Sequence, residues 1–426
     1  MGKTTNRVTA KTLNAWLIFI FVLLLPTQLG RHFFPPFAFL SGVRSDYLAP
    51  TLYLTDLVAG LLVLFNYHVV VRPLALWIKT HPWLAVATLL FAGVNTIGAL
   101  TPAVAFYQWL KIVEWVGVLL VFVQTPVRPE LIITALFIGG LGESLLAIFQ
   151  LINHHAVGGL MYWIGERPLN LALPGVAKIG LSGKELLRPY GSFSHPNSLA
   201  GFYLLIYVWL VGCRENRPGL VGAVLLPLLA TVLVFFSFSK VAIATFLLIN
   251  TFYWFGRLRH SRSSKRSGCR LCVLPKIAVP VLLSLVFFAG QSDPLTLQKR
   301  LGLIKNAWVI FTRSPWIGVG MGNYLIAQNQ LAYRLLDYSQ QPVHNIFFLW
   351  LCGVGLVGTA VTCAAVRSAA ARIKKNRWPV LIMVLAAVFI SGSFDHYWLT
   401  LQQNWLLTAV VFGYTVNSIS TSTKRS

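Results

Sequence analysis

Three side chains in this sequence have the chemistry to hold an anion and move a proton. Arg188 opens the run Arg188-Pro-Tyr-Gly-Ser-Phe-Ser-His195-Pro-Asn197, Arg300 heads a stretch of helical periodicity, and His344 stands in Gln341-Pro-Val-His344-Asn345 before a long apolar run. A guanidinium offers a planar fork of donors that matches phosphate oxygens. An imidazole with an unperturbed pKa of about 6.5 accepts a proton at ambient pH. With no cysteine cluster or carboxylate array beside them to hold a metal, two arginines and a histidine suit the binding of a diphosphate and the deprotonation of a hydroxyl. The expectation is a site without metal or cofactor. His195, Asn197, Lys240 and Asn345 are the candidate substrate-binding residues around it. Plainer roles stand beside these: Asn197 either caps the next helix or binds, Arg300 can snorkel to lipid headgroups, and a lone His at a membrane edge can end a helix by a hydrogen bond.

The elements that must carry these residues are membrane spans. Of 426 residues 56% are hydrophobic and only 11% charged, enough apolar residues for twelve spans of about 20 residues each. That excludes a large soluble catalytic domain, a long disordered tail and a disulfide-stapled secreted fold. Candidate spans lie near 13–29, 50–66, 82–99, 103–124, 131–150, 197–213, 219–236, 239–256, 276–290, 345–366, 378–393 and 400–417. A net charge of +24 would suggest nucleic acid in a soluble protein, but here most Lys and Arg fall in one alternate set of loops together with both tails. By the positive-inside rule that set, and both termini, are cytoplasmic, and the first apolar run is a retained span rather than a cleaved signal.

The expected fold is therefore all-α, a polytopic membrane protein of about 12 transmembrane helices in a single domain over 1–426. Two outer connections, 151–196 and 291–344, are long, and long connections are usually functional. The second contains a helix, since Leu301, Ile304, Trp308 and Phe311 form a stripe while Arg300, Lys305, Asn306 and Arg313 lie largely off it. Gly318-Val-Gly320-Met-Gly322-Asn323 follows no strand, so it reads as a tight turn rather than a nucleotide loop. Glycines 353, 355 and 358 let neighbouring helices approach closely. The basic run from Arg257 to Arg270 reads as a solvated inner anchor, and the lone pair Cys269 and Cys272 lacks a second ligand pair for zinc. Lys111 and Glu114, three apart in one span, form a structural pair. Glu143 has no partner evident in sequence, and Lys240 and Asp395-His396-Tyr397 lie in outer turns.

Taken together, Arg188-Pro-Tyr-Gly-Ser-Phe-Ser-His-Pro-Asn-Ser-Leu-Ala200, the Arg300 helix ending Ser-Pro-Trp-Ile-Gly-Val-Gly320, and His344-Asn345 before Gly-Val-Gly-Leu-Val-Gly358 resemble the O-antigen ligase family. The resemblance covers roughly 185–360 by motif. It implies a GT-C-type glycosyltransferase of the bacterial inner membrane that moves a glycan from undecaprenyl diphosphate to the hydroxyl of a glycolipid or other acceptor, without nucleotide sugar or metal. It also implies that Arg188 and Arg300 hold the diphosphate and that His344 is the base. Where the family often shows Ser-Arg this chain has Ser239-Lys240, a point charge in place of a fork. An O-antigen-type polymerase and a protein O-oligosaccharyltransferase share this pattern and differ in acceptor. A flippase for the same lipid would need charged groups exposed to both sides, whereas the candidates here fall at one face.

Overall fold

The computed structural model describes residues 2–181, 183–213, 219–261, 278, 280–285, 287, 295–331 and 341–417. Six helices precede the first long connection: α1 (Gly2–Leu24), α2 (Leu54–Phe65), α3 (Tyr67–Thr80), α4 (Pro82–Ile97), α5 (Pro102–Gln124) and α6 (Pro129–Asn153). After it come α7 (Pro196–Gly212), α8 (Leu226–Phe236), α9 (Lys240–Ser261), α10 (Leu295–Arg313), α11 (Tyr324–Asn329), α12 (Ile346–Ala370), α13 (Trp378–Gly392), α14 (Tyr397–Thr400) and α15 (Gln402–Val416). Proline starts α4, α5, α6 and α7, where its missing N–H is not needed and its fixed φ suits the first turn. The Cys269–Cys272 pair and most of the basic run up to Arg270 lie outside the described residues, as does much of the expected span at 276–290.

The chain is mostly helical. Four described helices, Pro102–Gln124, Pro129–Asn153, Ile346–Ala370 and Lys375–Gly392, are long and apolar enough to cross a bilayer. A fifth is α2 with α3, if that pair, bent by 75° at Asn66, is taken as one span. The bend is pinned by reciprocal amide hydrogen bonds between Asn66 and Asn14 of α1. The other expected spans among the described residues coincide with shorter helices. Two of these, α7 and α15, are buried along nearly their whole length, as expected of a helix surrounded by other helices rather than by lipid or water. Around α7 pack α8, α9, α13 and α15, while α15 also packs on α5, and α1 joins α2 to α6.

Three small antiparallel pairs form outside the helices, one of them using Thr51–Tyr53 at the start of the span expected near 50–66. β1 (Gly30–His32) pairs with β4 (Thr51–Tyr53), β2 (Phe39–Leu40) with β3 (Val43–Arg44), and β5 (Lys178–Leu181) with β6 (Lys184–Leu187). The glycine-rich turn after α10 packs into a kink of α12. There Gly355 has φ +64°, and the N–H groups of Leu356 and Val357 donate to Pro315 O and Trp316 O at 2.8 and 3.0 Å. A Cβ on Gly355 would lie 2.5 Å from the Trp316 carbonyl carbon, and one on Gly318 equally close to that of Gly353, so only glycine permits this approach. The α10 stripe differs from its expected use. Leu303, Ala307 and Ile310 face the protein core, whereas Leu301 and Trp308 of the predicted stripe stay exposed.

Candidate active site

Arg188 follows β6, and the loop after it is held from below by α6. Gln150 Oε1 accepts from the N–H groups of Tyr190 and Gly191, both at 2.9 Å, and its amide nitrogen donates to Gly191 O. Glu143, two turns earlier on the same face, accepts from Ser192 N at 2.9 Å and contacts Ser192 Oγ at 2.5 Å. Glu143, without an evident partner in sequence, is thus the anchor of this loop. Gly191, at φ +58°, is required because a Cβ there would meet Glu143 Oε2 at 2.1 Å. Placed this way, the Arg188 guanidinium donates from Nε to Ser237 O at 2.9 Å and from Nη2 to Asn197 Oδ1 at 2.7 Å. Burial pulls its pKa down to about 10, which leaves it protonated at neutral pH. Among the described residues no carboxylate forms an ion pair with it.

The cap of α7 is His195, not Asn197: His195 Nδ1 accepts from the backbone N–H of Asn197 at 3.1 Å. This frees the Asn197 amide to bridge, its oxygen taking Arg188 and its nitrogen donating to Asp395 Oδ2 at 2.7 Å. Asp395 Oδ1 accepts from His396 N at 2.8 Å and lies 3.5 Å from His344 Nδ1. That last contact lacks the alignment of a hydrogen bond. His344 Nε2 faces Gln341 Oε1 at 3.2 Å, and the rings of His344 and His396 are 5.1 Å apart. A connected chain therefore runs Arg188, Asn197, Asp395, His344.

Its electrostatics follow from burial. Burial, with the charge of Arg188 adding to it, pushes His195 down to about 3, and burial does the same to His396. Both imidazoles are neutral at ordinary pH. Burial alone would raise the Asp395 carboxyl, but His344, with His396 and His195, outweighs it and holds that carboxyl well below the usual carboxylate range. Arg300, half-buried on α10, stands close enough for its charge to act on both Arg188 and His396. Lys240 begins α9 immediately after the Ser237–Ser239 turn that receives Arg188. Asn345 caps α12, accepting from Phe347 N and Phe348 N and donating to Ser393 O, so its amide ties that helix start to the Asp395 segment.

A cavity of about 790 Å³ opens beside this chain. His195, Gln341, His344, Asp395 and His396 line it, and Tyr47 closes against His396 edge-on with ring centroids 5.5 Å apart. Arg188, Asn197, Arg300 and Lys240 are not in the cavity wall. Tyr47 and the bridging function of Asp395 escaped the sequence reading. The only signal for Asp395 was its adjacency to His396 in a turn, and Tyr47 carried none. The donor atoms of His344, Asp395 and His396 lie within 4.8 Å of one another, so these three could also ligate a divalent cation.

Fold and site together define a helical membrane protein with a cationic, histidine-bearing site at the end of the bundle that carries its long connections. The family model described as O-antigen ligase matches residues 198–363, and over that stretch the chain is similar to the O-antigen ligase family. The match contains Lys240, Arg300, His344 and Asn345, with Arg188 before it and Asp395 after it. Among curated proteins none matches the chain. The family carries glycosyl transfer of the O-antigen ligase or polymerase kind, on a lipid-linked glycan and an acceptor.

Proposed function

We propose that this protein transfers a glycan from undecaprenyl diphosphate to an acceptor hydroxyl at the outer face of the bacterial cytoplasmic membrane. The observation that carries this reading is the half-buried Arg188, whose described partners are the neutral Ser237 carbonyl and Asn197 amide. A half-buried cation without a direct counter-charge among the described residues, with the like charge of Arg300 acting on it, favours an anion beside both. A diphosphate fits that demand. The arginines then stabilise charge on the leaving group as the bond from the anomeric carbon to the phosphate oxygen breaks.

On the cavity side the acceptor oxygen attacks that carbon and its proton passes to His344. The contact to Gln341 Oε1 has Nε2 donating; with the proton instead on Nδ1 beside Asp395 and the hydroxyl in the place of Gln341, Nε2 carries the lone pair that takes the hydroxyl proton. Attack opposite the departing diphosphate inverts the anomeric centre. His195 stays neutral as the α7 cap, and no step requires a metal.

The test is a proteoliposome assay with undecaprenyl-diphosphate glycan and candidate acceptors. Wild type is expected to release lipid diphosphate in step with glycan-bearing product, and His344→Ala to lose both while still binding donor. Product length separates single transfer from polymerisation. Intact movement of the glycan lipid between leaflets, without release of diphosphate, would overturn the reading.

A further inference from the structure

The first long connection leaves α6 as a closed loop with an apolar tip. Its neck is sealed by Glu166, a buried carboxylate whose Oε1 accepts from Val157 N and whose Oε2 accepts from Gly158 N, both at 2.8 Å. Gln150 of α6 donates to the same Oε1 at 2.9 Å. Within the seal, residues 157–165 carry no charge. Their one helical turn, Gly159–Ile164, buries no side chain, and Leu160, Tyr162 and Trp163 are 79%, 60% and 65% exposed. Four large apolar side chains, Ile164 being the fourth, thus stand together without packing on the protein, which in water is an unmet cost. The roots of the loop lie at the ends of two apolar helices. One root is on α6 itself, and Gly165 is pressed onto the backbone of Gln28, four residues past α1, where a Cβ would have no room. α6 is long and apolar enough to cross a bilayer. Along it Ile138, Leu141, Leu145, Ile148 and Ile152 are exposed at spacings of three, four, three and four, one helix face turned outward to lipid. That face runs to the last turn of α6, and the exposed Val157 and Leu160 follow within eight residues.

We infer that the loop over 157–165 is seated in the interfacial layer of the bilayer, with Leu160, Trp163 and Ile164 against the upper acyl chains, so that lipid is its partner. Continuity with the lipid-facing stripe of α6 puts it beside the membrane. Composition sets the occupant: Trp and Tyr rings suit the layer where an apolar body meets acyl chains and a polar tip meets headgroups, and the loop has no charge to resist entry. Irregular backbone facing lipid is not tolerated in the hydrocarbon core, and this fixes the depth at the headgroup level. The seat has a consequence for the site. Tyr162 in the loop and Arg167 just past its neck line the 790 Å³ cavity, and Arg167 donates to Ser194 O, one residue before the α7 cap His195, at 3.3 Å. A loop held by lipid therefore holds one rim of the cavity at the bilayer surface. The docking itself needs only that the chain crosses a membrane; its effect on transfer rests on the transferase reading.

Photolabelling of the full-length protein in nanodiscs reads the depth of the loop without turnover. The probes are two phosphatidylcholines, one with a diazirine on the acyl carbons next to the glycerol and one with the diazirine at the chain end. The shallow probe is expected to label Gly159–Ile164 at least about fivefold more than the deep probe, whereas the deep probe should label Leu141 more than the loop. Leu160→Glu combined with Trp163→Glu, both at exposed positions, should cut labelling of the loop about fivefold or more. The same variant should keep the wild-type labelling of 141–148 and the wild-type thermal midpoint in detergent, which shows that it folds. A loop without lipid label beside a labelled α6 stripe, equal labelling by the two probes, or indifference to the double substitution would each overturn the inference. A changed oligomeric state in the double variant would overturn it too, by assigning the loop to a second copy. Since labelling needs no catalysis, a wild type that labels as expected but transfers nothing would fail the transferase reading alone. Where transfer occurs, the double variant should raise the KM for lipid-borne substrate about threefold or more and leave kcat unchanged.

Discussion

The Lys111 group and the Arg188 chain are both charged assemblies enclosed by apolar helices, yet their wiring differs. Around Lys111 the ammonium meets Asp56 and Glu114 directly, at 2.6 and 3.4 Å, so the cation is compensated on the spot. Around Arg188 the nearest acidic group in the chain of contacts is Asp395, reached only through the Asn197 amide. Direct compensation stabilises a structure, whereas compensation through a neutral relay leaves part of the field unspent for a ligand. Burial alone therefore does not mark a functional charge; the identity of its first partner does.

The largest expected effect lies at the open end of the Arg188 chain. His344→Ala should lower kcat by about 10²–10⁴, the usual worth of a positioned general base, with donor binding retained in a filter or calorimetric assay. Loss of donor binding instead would place His344 with the phosphate side and erase the division between the two faces of the site. Next comes Lys111→Met, which leaves Asp56 and Glu114 facing one another. Breaking such a pair costs about 3–5 kcal/mol, read as a lowered thermal midpoint in detergent, and Asp56→Asn combined with Lys111→Met should recover part of it. A variant of normal stability and no activity would make Lys111 a working group and collapse the contrast.

Arg188→Lys keeps the charge and loses the fork that holds Ser237 and Asn197. The expected cost is about 10- to 100-fold in kcat/KM, borne by donor binding, as about 1.4 kcal/mol is lost per decade. The pH response is smaller and has a definite sign. His195 and His396 hold pKa values of about 3 against an ordinary 6.5, so between those values the unfolded chain binds protons that the folded one excludes. Stability then rises with pH, and each imidazole withdraws up to about 1.4 kcal/mol per unit as pH falls below 6.5. Asp395, held down, adds a further loss only as pH falls below its ordinary 3.8. Thermal midpoints from pH 7.5 to 4.5 should fall less steeply in His396→Gln, and an unchanged slope would mean that His396 is not a buried neutral group. Chelation with EDTA should leave transfer unaffected; its loss, restored by added divalent cation, would reassign His344, Asp395 and His396 to a metal.

What could be read from the chain was what local pattern dictates. Apolar runs and the glycine turn after α10 announced the helices and their ends, because burial and backbone sterics act within a few residues. Arg188, Arg300 and His344 were legible as residue types that membranes tolerate only at a cost. The sequence also exposed the limit of propensity: Asn197 is a good cap by type, yet His195 takes the cap and Asn197 becomes the relay.

Packing decided the rest. The Asn197–Asp395 bond joins positions 198 residues apart, and Asp56 reaches Lys111 from a different helix, so neither contact leaves a local periodicity to read. The same holds for Glu143 and Gln150, whose one face of α6 acquires meaning only when the 190–192 backbone is laid on it. Sequence determined that this protein would be a bundle of apolar helices with its reactive residue types near one end. The tertiary fold alone decided which of those charges would be answered at once and which would be answered only through a neutral relay, because the first partner of a charge between helices is set by how the helices pack.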